Sequence, residues 1–441
     1  MSLEPVEGIK LLSDLEPART FGKVCKVVGL VVEGQGLKAP LGAMCRLIPE
    51  DGNEANAINA EVVGFREGRV LFMPYGDMRG IRPGSLIQNA AMPPLFPVGE
   101  RYLGQTLDAF GLPLNRDLEI SPRKYYPIYA EPLNPLKRPR IEEPLDVGVR
   151  AINGLLTLGK GQRIGIMAGS GVGKSTMMGM IARYTKADVN VIALVGERGR
   201  EVLEFMEKDL GPEGMARSVL VVATSDQSPL IRMRAAYSAT AVAEYFRDQG
   251  KDVVMMMDSV TRFAMAAREV GLAAGEPPTT KGYTPSVFAQ LPRLLERTGK
   301  NEKGSITGIY TVLVDGDDFN EPIADAVRSI LDGHIVLTRE LADQGHYPSI
   351  DILKSISRLR ADIVSNEVQE NGRKLISNLA TFKRVEDMVN IGAYVRGNSA
   401  EIDAALDLIG PIRKYLQQPV NEKQSLEDSW VKLREVVANA R

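Results

Sequence analysis

The feature that most constrains this chain is the stretch AGSGVGKST, which runs from Ala168 to Thr176. Its glycines allow consecutive backbone N–H groups to converge on one anion, and Lys174 places a positive charge beside them. The apolar run before the loop predicts a buried strand, and the apolar spacing after it predicts a helix that begins at the loop. A strand, a glycine-rich loop and a helix in this order predict a phosphate-binding loop in an α/β domain.

The loop residues have separate expected roles. The hydroxyl of Ser175 is expected to bind a magnesium ion that bridges the outer phosphates. The chain departs from the pattern G-x-x-x-x-G-K-[ST] at one position, where Ala168 replaces glycine. A glycine-rich turn that binds nothing is the alternative, and the flanking strand and helix argue against it. The expected nucleotide contacts are Gly169, Ser170, Gly171, Val172, Gly173, Lys174, Ser175 and Thr176.

Two other apolar runs end in a carboxylate. VVMMMD ends in Asp258, from which a carboxylate can hold magnesium through water, or can cap the next turn. ALVGERGRE places Glu197 after a strand, where it can polarise an attacking water while Arg198 offsets charge on the phosphoryl group. A surface cluster of salt bridges is the alternative for this second group.

Composition narrows the class of protein. A length of 441 residues predicts two or three domains, and a net charge of −2 gives no sign of a nucleic-acid binder. Two cysteines and two histidines do not favour a disulfide framework or a zinc site. The N-terminus is acidic where a signal peptide is positive, and no apolar run has the length of a membrane span. A cytoplasmic protein that meets membranes only through partners is therefore expected.

The fold class predicted from these patterns is an α/β core with a mainly parallel sheet, an N-terminal β-barrel and a C-terminal α-helical domain. Short alternating segments predict the barrel over 20–92, and spaced prolines predict an extended connection over 93–147. Alternating strands and helices predict the phosphate-loop domain over 148–360, and helical spacing follows over 361–441. Helical spacing within 1–19 fits either a partner-docking segment or a frayed terminus.

Longer motifs make a family resemblance specific. The segments GERGREV, MMMDSVTRFAMAAREVG, GEPPTTKGYTPSVFAQLPRLLERTG, ILDGHIVLTREL and GHYPSIDILKSISR accompany the phosphate loop. From about Phe21 onward the chain resembles the RecA/F1-like catalytic subunits of rotary ATPases and, more closely, the ATPases of type III protein export. Within that branch it resembles the flagellar enzymes more than those of virulence injectisomes.

The resemblance implies further site residues. It implies that Glu197 activates water, that Asp258 and Glu201 act on magnesium, and that Tyr347 packs on adenine. It also implies a set of arginines that act on the phosphate side: Arg198, Arg262 and, donated across a subunit boundary, Arg358. Without the resemblance, Tyr347 fits a core tyrosine and Arg358 an arginine on a helix surface.

The resemblance also implies ATP and Mg²⁺ as cofactors and a homohexameric ring. Implied partners are a regulator or stator protein at the N-terminal segment, a coiled-coil stalk protein in the ring, export substrates and their chaperones. The membrane export gate would be reached through partners, which implies a peripheral position at the inner membrane. Two other classes remain open: an RNA-translocating hexameric terminator, which the small aromatic content disfavours, and a noncatalytic nucleotide-binding subunit, which Glu197 disfavours.

Overall fold

The computed structural model describes residues 20–49, 54–90, 94–115, 120–314, 319 and 321–438, so the proposed docking segment at 1–19 lies outside the described residues. Close contacts divide the chain into two units. The first comprises the chain up to Leu95 together with Glu269–Pro277, and the second comprises Phe96–Arg268 and Pro278–Arg441.

The first unit holds a closed six-stranded antiparallel barrel, as the alternating segments predict. Its strands pair in the order β1-β2-β5-β4-β3-β6. Val32, Leu47, Phe72 and Ile87 point inward and are buried, because alternate residues of a strand face the same side. The strands are β1 (Phe21–Val28), β2 (Val31–Gln35), β3 (Met44–Ile48), β4 (Ile58–Arg66), β5 (Arg69–Pro74) and β6 (Leu86–Asn89). A short 3₁₀ turn lies at Glu54–Asn56.

The second unit is built on a nine-stranded, mainly parallel sheet, which confirms the predicted α/β core. The order is β19-β18-β12-β17-β15-β13-β14-β8, with β16 paired antiparallel to β17. Its central strands are apolar almost throughout because helices cover both faces of a parallel sheet. The remaining strands are β7 (Leu95–Val98), β8 (Gln105–Leu107), β9 (Lys124–Pro127), β10 (Pro144–Leu145), β11 (Leu158–Gly159), β12 (Arg163–Ala168), β13 (Val189–Val195), β14 (Ser218–Ala223), β15 (Asp252–Asp258), β16 (Gly299–Lys300), β17 (Ser305–Leu313), β18 (Gly333–Leu337) and β19 (Ile356–Ser357).

The proline-rich passage is more structured than an extended connection. Its strand β8 pairs in parallel with β14 and forms one edge of the large sheet. Two small sheets complete it, one of β7 with β9 and one of β10 with β11. Short 3₁₀ turns at Glu100–Tyr102 and Pro135–Lys137 lie between these strands.

Helices cover the sheet and form the C-terminal region. The first set is α1 (Arg150–Leu155), α2 (Lys174–Tyr184), α3 (Gly199–Glu204), α4 (Gly211–Ala216), α5 (Pro229–Asp248), α6 (Val260–Ala274), α7 (Pro285–Leu295), α8 (Pro322–Ile330), α9 (Arg339–Asp343) and α10 (Arg360–Ile363). A π-helix, Phe205–Leu210, joins α3 to α4, and a 3₁₀ turn lies at Thr280–Gly282.

The C-terminal region is helical, as predicted. It consists of α11 (Asn366–Asn390), α12 (Ala400–Leu416) and α13 (Leu426–Ala438). Ser365 and Ser399 cap the first two of these helices by accepting hydrogen bonds from backbone N–H groups of the first turn. Leu375, Leu408 and Leu433 are buried in the same core cluster as residues of the sheet. Along the part of the chain that the structure describes, no helix has the length and apolar character needed to cross a membrane.

Candidate nucleotide-binding site

The phosphate loop lies where the sequence predicts it, between β12 and α2. Gly171 and Gly173 have φ values of 78° and 87°, in the left-handed region that glycine adopts without strain. The hydroxyl of Ser349 donates to the carbonyl of Val172 at 2.6 Å, and Val172 is buried. The loop is therefore anchored on its buried side by Ser349, while Ser170 and Ser175 are exposed to solvent.

The departure from the loop pattern has a simple structural reason. Ala168 is the last residue of β12 and pairs with Leu313 and Leu337 on the two flanking strands. It is extended and buried, so the position needs a small side chain and not a left-handed backbone. Alanine fills this position without altering the loop that follows.

Lys174 and the two predicted carboxylates meet at the carboxyl edge of the sheet. Lys174 Nζ lies 2.5 Å from Asp258 Oδ1 and 3.8 Å from Glu197 Oε1. The hydroxyl of Thr311 donates to the same Asp258 oxygen at 2.7 Å. Because β12, β17, β15 and β13 are neighbours, their carboxyl ends bring these groups together from distant parts of the chain.

Glu197 has the most strongly perturbed carboxyl group in this cluster. Burial, together with the negative charge of Asp258, raises its pKa to about 7, although Lys174 acts in the opposite direction. Its Oε1 atom is buried and accepts no hydrogen bond from the described residues. A carboxylate with this pKa and a free lone pair is suited to accept a proton from a bound water.

Arg262 supplies the complementary donor. Its side chain packs on Gly196, where an added Cβ would lie 3.0 Å from Arg262 Cβ. The Nε of Arg262 is buried and has no hydrogen-bond acceptor within the described parts of the chain. Arg262 thus packs on the residue that precedes Glu197, and its Nε remains available to donate to a ligand such as a phosphate oxygen.

The donor set fits a magnesium ion that is bound mainly through phosphates and water. In residues 20–438, apart from the stretches left undescribed, no group of three or more His, Cys, Asp or Glu side chains could hold a metal by itself. Mg²⁺ bound with a nucleotide uses one or two protein ligands and keeps several waters. The Ser175 hydroxyl and the Asp258 carboxylate suit that mode of binding.

The other predicted residues differ in their surroundings. Glu201 lies next to Glu197 and contributes to its raised pKa. Arg198 is 73% exposed in its side chain and pairs with Glu201 at 3.4 Å. Thr176 hydrogen-bonds through its side chain to Asp209 of the π-helix, which anchors the first turn of α2.

Tyr347 lies directly against the phosphate loop. Two atoms of its ring lie 3.5 Å from the position of a Cβ built on Gly173, and the residue is 45% exposed. The backbone N–H of Gln418 donates to the Tyr347 carbonyl at 3.0 Å and ties this position to the segment after α12. The open ring face beside the loop gives a purine a surface for stacking.

Arg358 lies at the opposite end of the strands from the loop of its own chain. The backbone N–H of Arg358 donates to the carbonyl of Asp332. The backbone N–H of Asp332 donates to the carbonyl of Arg163, which is the first residue of β12. The phosphate loop begins beyond Ala168, the last residue of that strand. The five residue-to-residue steps from Arg163 to Ala168 span roughly 17 Å of extended chain. This distance is farther than an arginine side chain reaches.

Sequence reasoning missed Thr311, Ser349 and Gln418. Thr311 is a fully buried polar residue inside an apolar strand, which is a visible signal in the sequence. Ser349 and Gln418 give no such signal, because their importance depends on which backbone groups the fold places beside them.

The barrel, the parallel sheet and this arrangement of loop, lysine and carboxylates define a P-loop nucleotide hydrolase. Residues 148–357 match the nucleotide-binding domain of the ATP synthase alpha/beta family, and residues 24–89 match the beta-barrel domain of that family. Residues 364–435 match the T3SS EscN ATPase C-terminal domain. The chain therefore belongs to the ATP synthase alpha/beta family, in the branch of the type III export ATPases.

Individual relatives agree with this assignment. The "Flagellum-specific ATP synthase" of Bacillus subtilis is 56% identical over 423 residues, which are 96% of each chain. The "Type 3 secretion system ATPase" of Xanthomonas euvesicatoria is 48% identical over 97% of each chain. The assembled ATPase EscN of the enteropathogenic E. coli type III secretion system has a TM-score of 0.90 at 46% identity and covers 94% of this chain and 100% of that one. EscN with its central stalk EscO gives a TM-score of 0.87 at 45% identity, with the same coverage.

Proposed function

We propose that this chain hydrolyses ATP to ADP and phosphate and couples that reaction to flagellar type III protein export. The observation that carries the proposal is the buried Glu197 carboxylate, which has a free oxygen beside Lys174 at the mouth of the phosphate loop. A nucleotide-binding subunit without catalysis has no need of a buried carboxylate there with an oxygen that accepts no hydrogen bond. Its raised pKa matches that of a general base near neutral pH.

Each part of the site has a role in this reaction. The loop from Gly169 to Thr176 and the Lys174 ammonium hold the phosphates, and Tyr347 stacks on adenine. Ser175 and Asp258 would hold Mg²⁺, with Glu201 acting through water, and the ion would neutralise charge on the outer phosphates. Glu197 orients the attacking water and accepts its proton.

The arginines stabilise charge that forms on the phosphoryl group. Arg262, whose buried Nε has no hydrogen-bond acceptor within the described parts of the chain, acts from within the chain, and the exposed Arg198 acts beside it. Arg358 serves the site of a neighbouring subunit, because its anchor lies at the far end of β12 from its own loop. A homohexameric ring satisfies this requirement at every site.

The proposed partners follow from the same ring. A coiled-coil stalk protein enters it, as the solved EscN complex with EscO suggests for this chain. A regulator or stator protein binds the segment at 1–19, and export substrates with their chaperones are delivered to the membrane export gate. The chain then works at the cytoplasmic side of the inner membrane through these partners.

A phosphate-release assay on purified protein tests the enzymatic part. We expect MgATP hydrolysis that Lys174→Ala abolishes and that added RNA does not stimulate. Stimulation by RNA would favour the terminator class, and absence of hydrolysis in assembled rings would favour the noncatalytic class.

Deletion of the gene in its source organism tests the cargo. We expect loss of flagellar filaments and of motility, both restored by the wild-type gene. Retained filaments together with lost secretion of effector proteins would favour an injectisome ATPase, the alternative that the Xanthomonas relative keeps open.

A further inference from the structure

The short strand β19, which leads directly into Arg358, is held closely against the start of β18. A Cβ built on Gly333 would lie 2.3 Å from the carbonyl oxygen of Ile356, so only glycine permits this approach. Directly after β19, the N–H of Arg358 donates to the carbonyl of Asp332 at 3.0 Å. The backbone that carries Arg358 is therefore positioned by Asp332 and Gly333.

Asp332 is itself clamped to the start of β12. Its Oδ2 accepts hydrogen bonds from the backbone N–H of Arg163 at 3.0 Å and from Nε at 3.3 Å, and its Oδ1 accepts from Nη2 at 3.2 Å. The Arg163 side chain is only 14% exposed, so water competes little for these charge-assisted bonds. The carboxylate therefore fixes the peptide group that binds Arg358.

A second set of hydrogen bonds holds β19 through the side chain of Ser357. The buried Gln162 donates from Nε2 to the hydroxyl of Ser357 at 3.0 Å, and that hydroxyl donates to the carbonyl of Thr157 at 3.1 Å. Ser357 immediately precedes Arg358. Two side-chain networks thus hold the strand that leads into the exposed Arg358.

We propose that Asp332 is a positioning residue for Arg358 and that it acts on the nucleotide site of the neighbouring subunit, not on that of its own chain. The inference rests on the proposed role of Arg358 across the subunit boundary. Loss of the Asp332 hydrogen bonds should therefore impair the neighbour's site and leave the phosphate loop of its own chain, beyond the other end of β12, intact.

The first measurement separates binding from turnover. We expect Asp332→Ala to lower kcat by about 10- to 100-fold, because a displaced catalytic group costs this much, while the KM for ATP and nucleotide affinity change less than threefold. Asp332→Asn keeps one acceptor for Arg163 and should recover part of the loss. Asp407→Ala, which removes a carboxylate from an exposed ion pair with Arg396, is the matched control and should retain wild-type turnover.

Mixed rings then identify which site is affected. Asp332→Ala subunits keep an intact phosphate loop. Lys174→Ala subunits keep Arg358 and the contacts that position it. If Asp332 acts across the boundary, an equal mixture should regain activity at about a quarter of the subunit boundaries, where the intact loop meets the intact arginine. The parallel mixture of Arg358→Ala with Lys174→Ala tests the arginine itself.

The outcomes are distinct. Recovery in both mixtures supports the proposal. Recovery only in the Arg358→Ala mixture overturns it, because Asp332 then acts through β12 on its own loop. Failure of the Arg358→Ala mixture overturns the proposed role of Arg358 and with it the basis of the inference. If circular dichroism shows that Asp332→Ala is unfolded, Ser357→Ala replaces it in the same mixtures and carries the same expected results.

Discussion

At the scale of single residues, the proposed role of Glu197 predicts that nucleotide binding and hydrolysis can be separated by one substitution. Glu197→Gln keeps the shape of the side chain but loses the capacity to accept a proton, so we expect hydrolysis to fall by about 10²-fold or more. Nucleotide affinity should change little, because the loop and Lys174 remain. Phosphate release and equilibrium nucleotide binding measure the two effects separately.

The matched control for this change is Glu204→Gln. Glu204 lies on α3, close in sequence, but its carboxylate pairs with Arg200 and Lys208 at the surface. The Glu204→Gln variant should hydrolyse ATP at the wild-type rate. Near-normal turnover in Glu197→Gln would contradict the assignment and direct attention to Glu201.

The same carboxyl group should make the nucleotide-free protein less stable above neutral pH. Its folded-state pKa of about 7 lies above the ordinary 4.5, so the native state retains a proton that the unfolded chain releases. The stability that this proton contributes is present below about pH 4.5 and is lost as pH rises through 7. Glu197→Gln should therefore raise the free energy of unfolding by roughly 1–3 kcal/mol at pH 8 and much less at pH 4.5.

Denaturant unfolding without nucleotide at the two pH values measures this difference. Glu204→Gln should show none of it, because its carboxylate is exposed to solvent. An equal gain for Glu197→Gln at both pH values would mean that the effect comes from packing and not from the titration of Glu197.

Sequence patterns could predict where the phosphate loop lies, but not the residues that hold the loop and Arg358 in position. Lys174 and Ser175 are marked by a local pattern whose chemistry is complete within nine residues. Asp332 and Ser349 act through backbone groups that are distant in sequence, and their partners depend on the order of strands in the sheet. A single sequence contains no local signal for such contacts.

At the scale of elements, long apolar runs were predictable and short pieces were not. The strands β12 to β15 are buried on both faces and appear as nearly continuous apolar segments. By contrast, β8 has three residues and is a strand only because the edge of β14 provides hydrogen-bond partners. The spaced prolines of 93–147 predicted an extended connection, and tertiary pairing made part of that connection a strand.

The packing of α2 on the π-helix gives a prediction for an element interface. A Cβ on Gly179 would lie 2.6 Å from both the Cβ and the carbonyl oxygen of Asp209, and the backbone there cannot move without disturbing the π-helix. We expect Gly179→Ala to lower the free energy of unfolding by about 1–3 kcal/mol, as overpacking usually does. Denaturant unfolding of the nucleotide-free protein measures this change in the free energy of unfolding.

Gly199→Ala is the control for that substitution. A Cβ on Gly199, at the start of α3, would meet no atom within 4 Å. Its unfolding free energy should stay within about 0.5 kcal/mol of the wild type, as for most surface changes. Equal effects for the two alanines would show that loss of glycine itself, and not the contact with Asp209, is responsible.

At the scale of the whole molecule, the proposed role of Arg358 would make the isolated chain an incomplete enzyme, because this arginine is separated from its own phosphate loop. Loop, lysine and carboxylates gather at the carboxyl edge of the sheet, while Arg358 is anchored at the amino edge through Asp332. Head-to-tail association brings one edge to the other and repeats the contact until the ring closes. Turnover would then be tied to assembly, since the charge that Arg358 is proposed to neutralise forms only in the transition state.

Specific activity should consequently rise with protein concentration over the range in which the chain assembles. Sedimentation and phosphate release, measured on the same samples, should show that turnover per chain follows the assembled fraction. Arg358→Ala should bind ATP almost normally but lose this rise, because its rings contain sites without the neighbour's charge. A monomeric sample with full, concentration-independent activity would contradict a shared site, and the water-activating cluster around Glu197 would then have to work with arginines of its own chain, Arg198 and Arg262, alone.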